Sequence, residues 1–413
     1  MDTRRFAGID WGGTSHFVCV VDGQLEPKLS FTVDASLEGL DELAAKLHDH
    51  GTISGVAIEG KATMLMHRLL EAGLAVYPVN PKLSHDWRKT HSLVGSKSDA
   101  FDARVLAIGL AVHHNELHPF RPDDPHTREL AQLCQDECSL IKDRTALVNR
   151  LQATLKTYYP QALQWFSDWT AATAWDFILT FSTPEKLRSA SRKKLIGFLK
   201  THKIGLGPRW QERLDAHPGT QSWPNDEPTV SAKSMLAVTL AKQLRTLQAA
   251  LREYRRRIEE LFSLHVDAAI FNSLPGAGDK MAPRLLSCIG ADRQRYESAA
   301  SLQELSGCAP VTKASGKRRT VRIRRACQKH FRDTLFLFAN LSRRKCAWAQ
   351  TYYKRARDAG DTHATALRKL GGKWLKIIFR MWQDRRPYDD QTYCESLVRH
   401  NSPLAKCLCT DGG

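Results

Sequence analysis

What the chain lacks narrows it first. No apolar run in its 413 residues reaches the ~18–20 positions that a membrane-spanning helix requires, which excludes a membrane-embedded bundle. Apolar residues are not depleted: 42% hydrophobic with 25% charged excludes a mainly disordered chain, and no glycine repeat suggests collagen. The ten cysteines (Cys19, Cys134, Cys138, Cys288, Cys308, Cys327, Cys346, Cys394, Cys407, Cys409) form no CxxC pair and no Cys/His blocks of zinc-finger spacing. A reduced, cytoplasmic protein is therefore expected. Residues 1–10 are charged and run straight into a strand-like stretch, so no secretory signal is expected. Acids are missing where bases are densest: residues 317–332 contain no Asp or Glu.

That local absence carries most of the basic surplus. Lys and Arg number 61 against 44 Asp and Glu, for a net charge of +17, yet residues 1–120 are slightly acidic. The excess lies in Lys317, Arg318, Arg319, Arg322, Arg324, Arg325, Lys329 and Arg332, and continues through Arg343, Arg344, Lys345, Lys354 and Arg355 to Arg380. A single-sign block of this length repels itself unless a polyanion neutralises it, and a phosphate backbone is the natural partner. Trp348, Tyr352, Tyr353, Trp374 and Trp382 lie among these charges, where they can stack on bases or, at helical spacing, serve as core.

Residues 5–34 read as a three-strand meander, with a hairpin signal at Asp22-Gly23. Ser36 caps an amphipathic helix carrying Leu40, Leu43 and Leu47. Short strands follow at 55–58 and 75–79, separated by a helix through Leu65 and Leu69, and a further helix runs from near Ser98 to His113. Three antiparallel strands followed by alternating helix and parallel strand is the order of a ribonuclease-H-like domain. Beyond a Pro-rich segment, residues 127–158 read as one long helix. Leu240, Leu244, Leu247, Leu251, Tyr254, Ile258 and Leu261 form a heptad seam that predicts a coiled coil, within the chain or between chains. Residues 270–341 read as compact and helical, with a Pro-Gly-x-Gly turn at 275–278 and a loop over 307–316. Residues 160–230 give no readable signal. The predicted organisation is an α/β domain over 1–125, a helical linker with the coiled coil over 126–265, a mainly helical domain over 266–386, and a tail over 387–413.

Four acids are placed to do chemistry. Asp10 closes the first strand, Glu59 closes the strand at 56–58, and Asp99 and Asp102 sit three apart at a helix start, facing one side. Carboxylates at strand ends project at the edge of an α/β sheet where ligands bind. Together they offer hard oxygen ligands suited to Mg²⁺ or Mn²⁺ and a substrate phosphate. Lys61 and Lys97 stand beside them in sequence as candidate phosphate contacts. The run from Gly8 to Thr14 also looks like the first phosphate loop of sugar kinases and actin-like ATPases. No second Gly-rich loop accompanies it, however, and such a kinase leaves the basic half unexplained.

Asp10 after its Gly-Ile strand, Glu59 in Ala-Ile-Glu-Gly, and the run Lys97-Ser98-Asp99-Ala100-Phe101-Asp102-Ala103 resemble the DEDD transposases of the insertion sequence 110 family, whose first domain is RuvC-like. Leu-Pro-Gly-Ala-Gly at 274–278, Gly307-Cys308-Ala309-Pro310-Val311 and Ala314-Ser315-Gly316-Lys317 resemble that family's second domain. The resemblance implies a recombinase of a mobile element that cuts and rejoins donor and target DNA. It further implies Asp10, Glu59, Asp99 and Asp102 as metal-binding catalytic acids, Ser315 as nucleophile, a structured non-coding bridge RNA as guide, and homodimers or homotetramers in which acids and serine come from different subunits. By the residues alone, Ser315 equally suits a turn or a phosphate contact. Two other readings remain open at this point: a hydrolytic RuvC-like nuclease of the junction-resolvase type, and a nucleic-acid-binding protein without catalysis. In every case the expected location is the cytoplasm, at the nucleoid when DNA is bound, with no membrane partner.

Overall fold

The computed structural model describes residues 4–60, 63–91, 98–217, 226–316, 318–402 and 404. The chain divides into two compact units, Met1–Pro122 and Asp123–Gly413. Among the described residues no helix is long and apolar enough to cross a membrane.

The first unit holds a five-stranded mixed sheet. Strands β1 (Arg5–Trp11), β2 (Ser15–Val21) and β3 (Pro27–Asp34) form the antiparallel meander, while β4 (Ile53–Glu59) and β5 (Val76–Val79) add in parallel to give the order β3-β2-β1-β4-β5. This is the order predicted for a ribonuclease-H-like domain. β1 and β4 are central and buried on both faces, which explains their unbroken apolar runs. Helices α1 (Leu37–Asp49) and α2 (Thr63–Glu71) cover one face with Leu40, Leu43, Leu47, Leu65 and Leu69. The Ser36 hydroxyl caps α1 by accepting from the Gly39 amide at 3.0 Å.

The other face is covered by α3 (Pro81–His91) and α4 (Asp99–His113). α4 lies directly on β1, and the contact depends on a missing side chain. A Cβ on Gly8 would stand 2.1 Å from the Ala103 carbonyl oxygen and 2.4 Å from the Ala107 amide nitrogen. α3 closes on α4 the same way, since a Cβ on Gly109 would fall 2.2 Å from the Trp87 ring. The sequence reading did not anticipate α3. Its start is set by Asn80, whose side chain accepts from the Lys82 amide at 2.9 Å, and by Pro81 at the first helical position.

In the second unit the helices α5 (Pro125–Tyr158) and α10 (Glu227–Leu264) pack antiparallel. His126 meets the Leu261 carbonyl, Arg257 pairs with Glu129, Arg255 with Glu137, and Arg144 donates to Gln248. Leu240, Leu244, Leu251, Ile258 and Leu261 of the heptad seam are buried, so the seam finds its partner inside the chain. Residues 160–217 gain a clear role. The short helices α6 (Ala172–Thr180), α7 (Pro184–Arg188), α8 (Arg192–Thr201) and α9 (Pro208–Ala216) gather Trp165, Trp175, Phe177 and Phe181 over one end of the helical pair.

At the other end α11 (Ala268–Asn272), α12 (Gly278–Ile289), α13 (Ala299–Leu305), α14 (Lys329–Ser342), α15 (Ala347–Asp358), α16 (His363–Asp384) and α17 (Asp390–Arg399) form a second helical core. Between α13 and α14 lies a hairpin of β6 (Val311–Ser315) and β7 (Arg318–Arg322). The predicted loop over 307–316 thus ends in a strand.

Replacing Gly8 with alanine drives a methyl group into α4 backbone and should destabilise the first unit by about 1–3 kcal/mol, read as a lowered melting temperature. Gly13→Ala, where nothing lies within 4 Å of the added carbon, serves as the neutral control.

Candidate metal-dependent active site

The Gly8 contact fixes where the acids stand. It holds the first turn of α4 over the C-terminal end of β1, beside the end of β4. Asp10, Glu59, Asp99 and Asp102 therefore line one open cleft of about 500 Å³, together with Trp11, Gly12, Ser15, Gly60, Pro81 and Arg88. Ser98 caps α4, its hydroxyl accepting from the Phe101 amide at 3.2 Å, and places both Asp99 and Asp102 in the first turn. The first-turn position suits them, because the helix N-terminus favours negative charge. Asp102 is buried at 4% exposure.

Crowding shows in Asp10. Its carboxyl is pushed up to about 6, first by burial and then by the charges of Asp102, Asp99 and Glu59, with Arg88 pulling the other way. Among the described residues that line the cleft, four acids face one cation, Arg88, a surplus of negative charge.

Arg88 and Ser84, one turn apart on α3, stand against Glu59, a placement that the sequence did not announce. Arg88 Nη2 donates to Glu59 Oε2 at 2.5 Å and to Ser84 Oγ at 3.0 Å, and Ser84 Oγ donates to the same Glu59 oxygen at 2.6 Å. Arg88 Nε stands 3.3 Å from Asp102 Oδ1, yet neither atom makes an aligned hydrogen bond. That contact is one of charge only, and a buried carboxylate oxygen is left without a donor. Trp11 Nε1 donates to the Glu59 main-chain oxygen at 2.7 Å, while its ring stays 43% exposed at the rim.

Among the described residues no three His, Cys, Asp or Glu side chains are closed up into a ready metal-binding group. Arg88 stands between two of the acids, 2.5 Å from Glu59 and 3.3 Å from Asp102. The donor set nevertheless fits a hard divalent cation: four carboxylates, excess negative charge, and an undonated oxygen on Asp102.

Ser315 and the basic residues belong to the second unit. Ser315 is the last residue of β6, opposite Arg318 in the register, and Gly316 turns the chain with φ +56°. For Ser315, Arg318 and Arg319 only the backbone is described, and Lys317 lies outside the described residues, as do Lys61 and Lys97. Arg322, Arg325 and Lys329 are exposed and have no acidic partner among the described residues. Arg324 and Arg332 are already engaged, by Glu304 at 3.3 Å and Asp333 at 3.2 Å. Of the two roles open to Trp348, Trp374 and Trp382, stacking on bases or core, the core one holds: all three are fully buried in the helical core, with Trp374 Nε1 donating to Ser342 and Trp348 Nε1 to Tyr388. The Pro-Gly-x-Gly turn is likewise packed, since Gly276 abuts the backbone of Leu341 and Ser342 at the end of α14.

Two family models match this chain. One, described as a transposase of the DEDD type found in IS110, covers residues 7–160. The other, described as a transposase of the IS116/IS110/IS902 family, covers residues 268–354. A Streptomyces coelicolor protein named for the transposase of the IS117 mini-circle is 30% identical over 399 residues, spanning 94% of this chain and 95% of the relative. The 42 kDa protein of insertion element IS900 from Mycobacterium paratuberculosis is 28% identical, over 94% of this chain and 98% of its own length. The 44.8 kDa protein of IS116 from Streptomyces clavuligerus is 29% identical, over 93% and 96%.

The raised Asp10 carboxyl has a stability consequence. Folded protein binds more protons than unfolded protein between the ordinary 3.8 and about 6, so this group costs stability above pH 6 and ceases to do so below pH 4. In EDTA at pH 7.5, Asp10→Asn should raise stability by about 1 kcal/mol, a figure discounted for the water-open cleft. The gain should fade at pH 4 in thermal melts; a less stable variant at pH 7.5 would show that the acids do not crowd one another.

Proposed function

Since this chain belongs to the IS110 family of transposases, we propose that it is the recombinase of a mobile element, joining DNA strands through a serine nucleophile with Mg²⁺ or Mn²⁺ held by acids. The observation that carries this reading is the convergence of Asp10, Glu59, Asp99 and Asp102, from two strands and a helix, on one negatively overcharged cleft. These four are the metal ligands of the proposal. A divalent cation bound there polarises the scissile phosphate and offsets the charge that builds on it.

The chain's own residues supply the rest. Ser315 Oγ attacks phosphorus: the Oγ–P bond forms, the bond from phosphorus to the leaving strand oxygen breaks, and that oxygen takes up a proton as the serine hydroxyl gives one up. The phosphodiester energy is conserved in the phosphoserine link, so a second strand hydroxyl can reverse the step without ATP. The position of Ser315 at the end of β6, next to Gly316, supports its presentation to a strand. Arg322, Arg325 and Lys329 contact phosphates of donor DNA, target DNA or a structured guide RNA. The assembly is a homodimer or homotetramer acting in the cytoplasm, in which one subunit's acids serve another's serine.

Ser315→Ala should abolish strand exchange and the detergent-resistant protein–DNA adduct while leaving nucleic-acid affinity within about twofold. Cleavage that persists without an adduct in the native protein would instead identify a hydrolytic nuclease. Changing Arg322, Arg325 and Lys329 together to glutamine should lower the slope of log K against log salt by about 2 to 3 on duplex DNA.

A further inference from the structure

Arg88 is a strong cation in a place where a metal-binding cleft has no evident use for one. Its backbone is firmly set. The neighbouring Trp87 is buried, fills the space over Gly109 and stacks on His113 with ring centroids 5.7 Å apart. The movable part is the side chain, which is 26% exposed and reaches into the open cleft. There it neutralises two of the four acids, Glu59 by a short hydrogen bond shared with Ser84 and Asp102 by charge alone.

A guanidinium and a divalent cation compete for these oxygens. Mg²⁺ or Mn²⁺ binds carboxylate oxygens at about 2.1 Å, and a positive group hydrogen-bonded to the same oxygen would then face it at contact distance. The Asp102 oxygen is the weak point, being buried and facing Arg88 without an aligned donor. Once displaced, a guanidinium seeks a planar anionic partner, and a phosphate group is the best match that nucleic acid offers.

We propose that Arg88 is an exchangeable counter-ion: it holds Glu59 and Asp102 in the metal-free protein, yields them to the divalent cation, and transfers to a phosphate oxygen of the bound strand. This rests on the reading of the acids as metal ligands. Metal loading and strand binding then favour each other, because each relieves Arg88 of the partner that the other requires. Arg88 is a positioning residue in this scheme, and Ser84 tunes how tightly it is held.

The test is Mn²⁺ binding to the full-length protein, followed by electron paramagnetic resonance of the free ion, with and without a DNA oligonucleotide. Arg88→Gln should bind Mn²⁺ about tenfold more tightly than the native protein without DNA, the worth of one charge-assisted hydrogen bond. DNA should tighten Mn²⁺ binding by a similar factor in the native protein and by less than twofold in the variant. Ser84→Ala, which leaves the charges intact, should tighten Mn²⁺ binding by a smaller factor and guards against a folding defect confined to Arg88→Gln. Equal Mn²⁺ affinities in all three proteins, with an unchanged response to DNA, would overturn the exchange while leaving the metal site standing. No Mn²⁺ binding by any of them, with DNA or without, would overturn the metal reading and the exchange with it.

Discussion

The contact between α4 and β1 through Gly8 governs the first unit. A helix normally stands off a sheet by the thickness of its side chains. Here its backbone comes down to touch the strand. The acids depend on that closeness, because Asp99 and Asp102 ride on the helix while Asp10 and Glu59 ride on the sheet. With any larger residue at position 8 the helix would tilt or lift, and the carboxylates would move apart together. A backbone position with no chemistry of its own thus sets the geometry of four that have it.

Gathering like charges is costly, and the cleft manages the cost in two ways. The helix N-terminus faces Asp99 and Asp102, and Arg88 stands between Glu59 and Asp102. Neither offset is complete: the Asp10 carboxyl is held up first by burial and then by the charges of Asp102, Asp99 and Glu59, against the pull of Arg88. Incomplete offset is what a cation-binding site needs: a cleft neutralised by its own residues would have little affinity left for an ion.

The meander, the parallel strands and the four acids were legible because each rests on a local rule. Period-two apolar runs mark strands, and acids at strand ends or in a capped first turn declare themselves by position. Arg88 and Ser84 were not legible. Helix α3 carries only Leu83 and Trp87 as large apolar residues, too few for a periodic signal, and the meaning of Arg88 arises only when residues 59, 88 and 102 meet in space. The strand at 311–315 was read as loop because its described side chains, Val311, Thr312 and Ala314, include no buried one to mark an alternation. Trp348, Trp374 and Trp382 share helical spacing with dense positive charge, and sequence alone could not tell which side of each helix met α14 and α16. In residues 160–217 the helices are short and interrupted, so their order comes from packing on α5 and α10 instead of from any period of their own.

The pair formed by α5 and α10 supports a separate apolar cluster at each end: Leu130, Cys134, Ile258 and Phe262 at one, Val148, Leu151, Leu155 and Leu240 at the other. The stretch between them is crossed by polar ties such as Arg144 to Gln248 and Arg255 to Glu137. A helix of 34 residues extends roughly 50 Å, enough to keep two such clusters from sharing atoms. The beam therefore carries its aromatic head as a detachable fitting. A change inside that head leaves the packing at the opposite end, and the serine hairpin there, on its own footing.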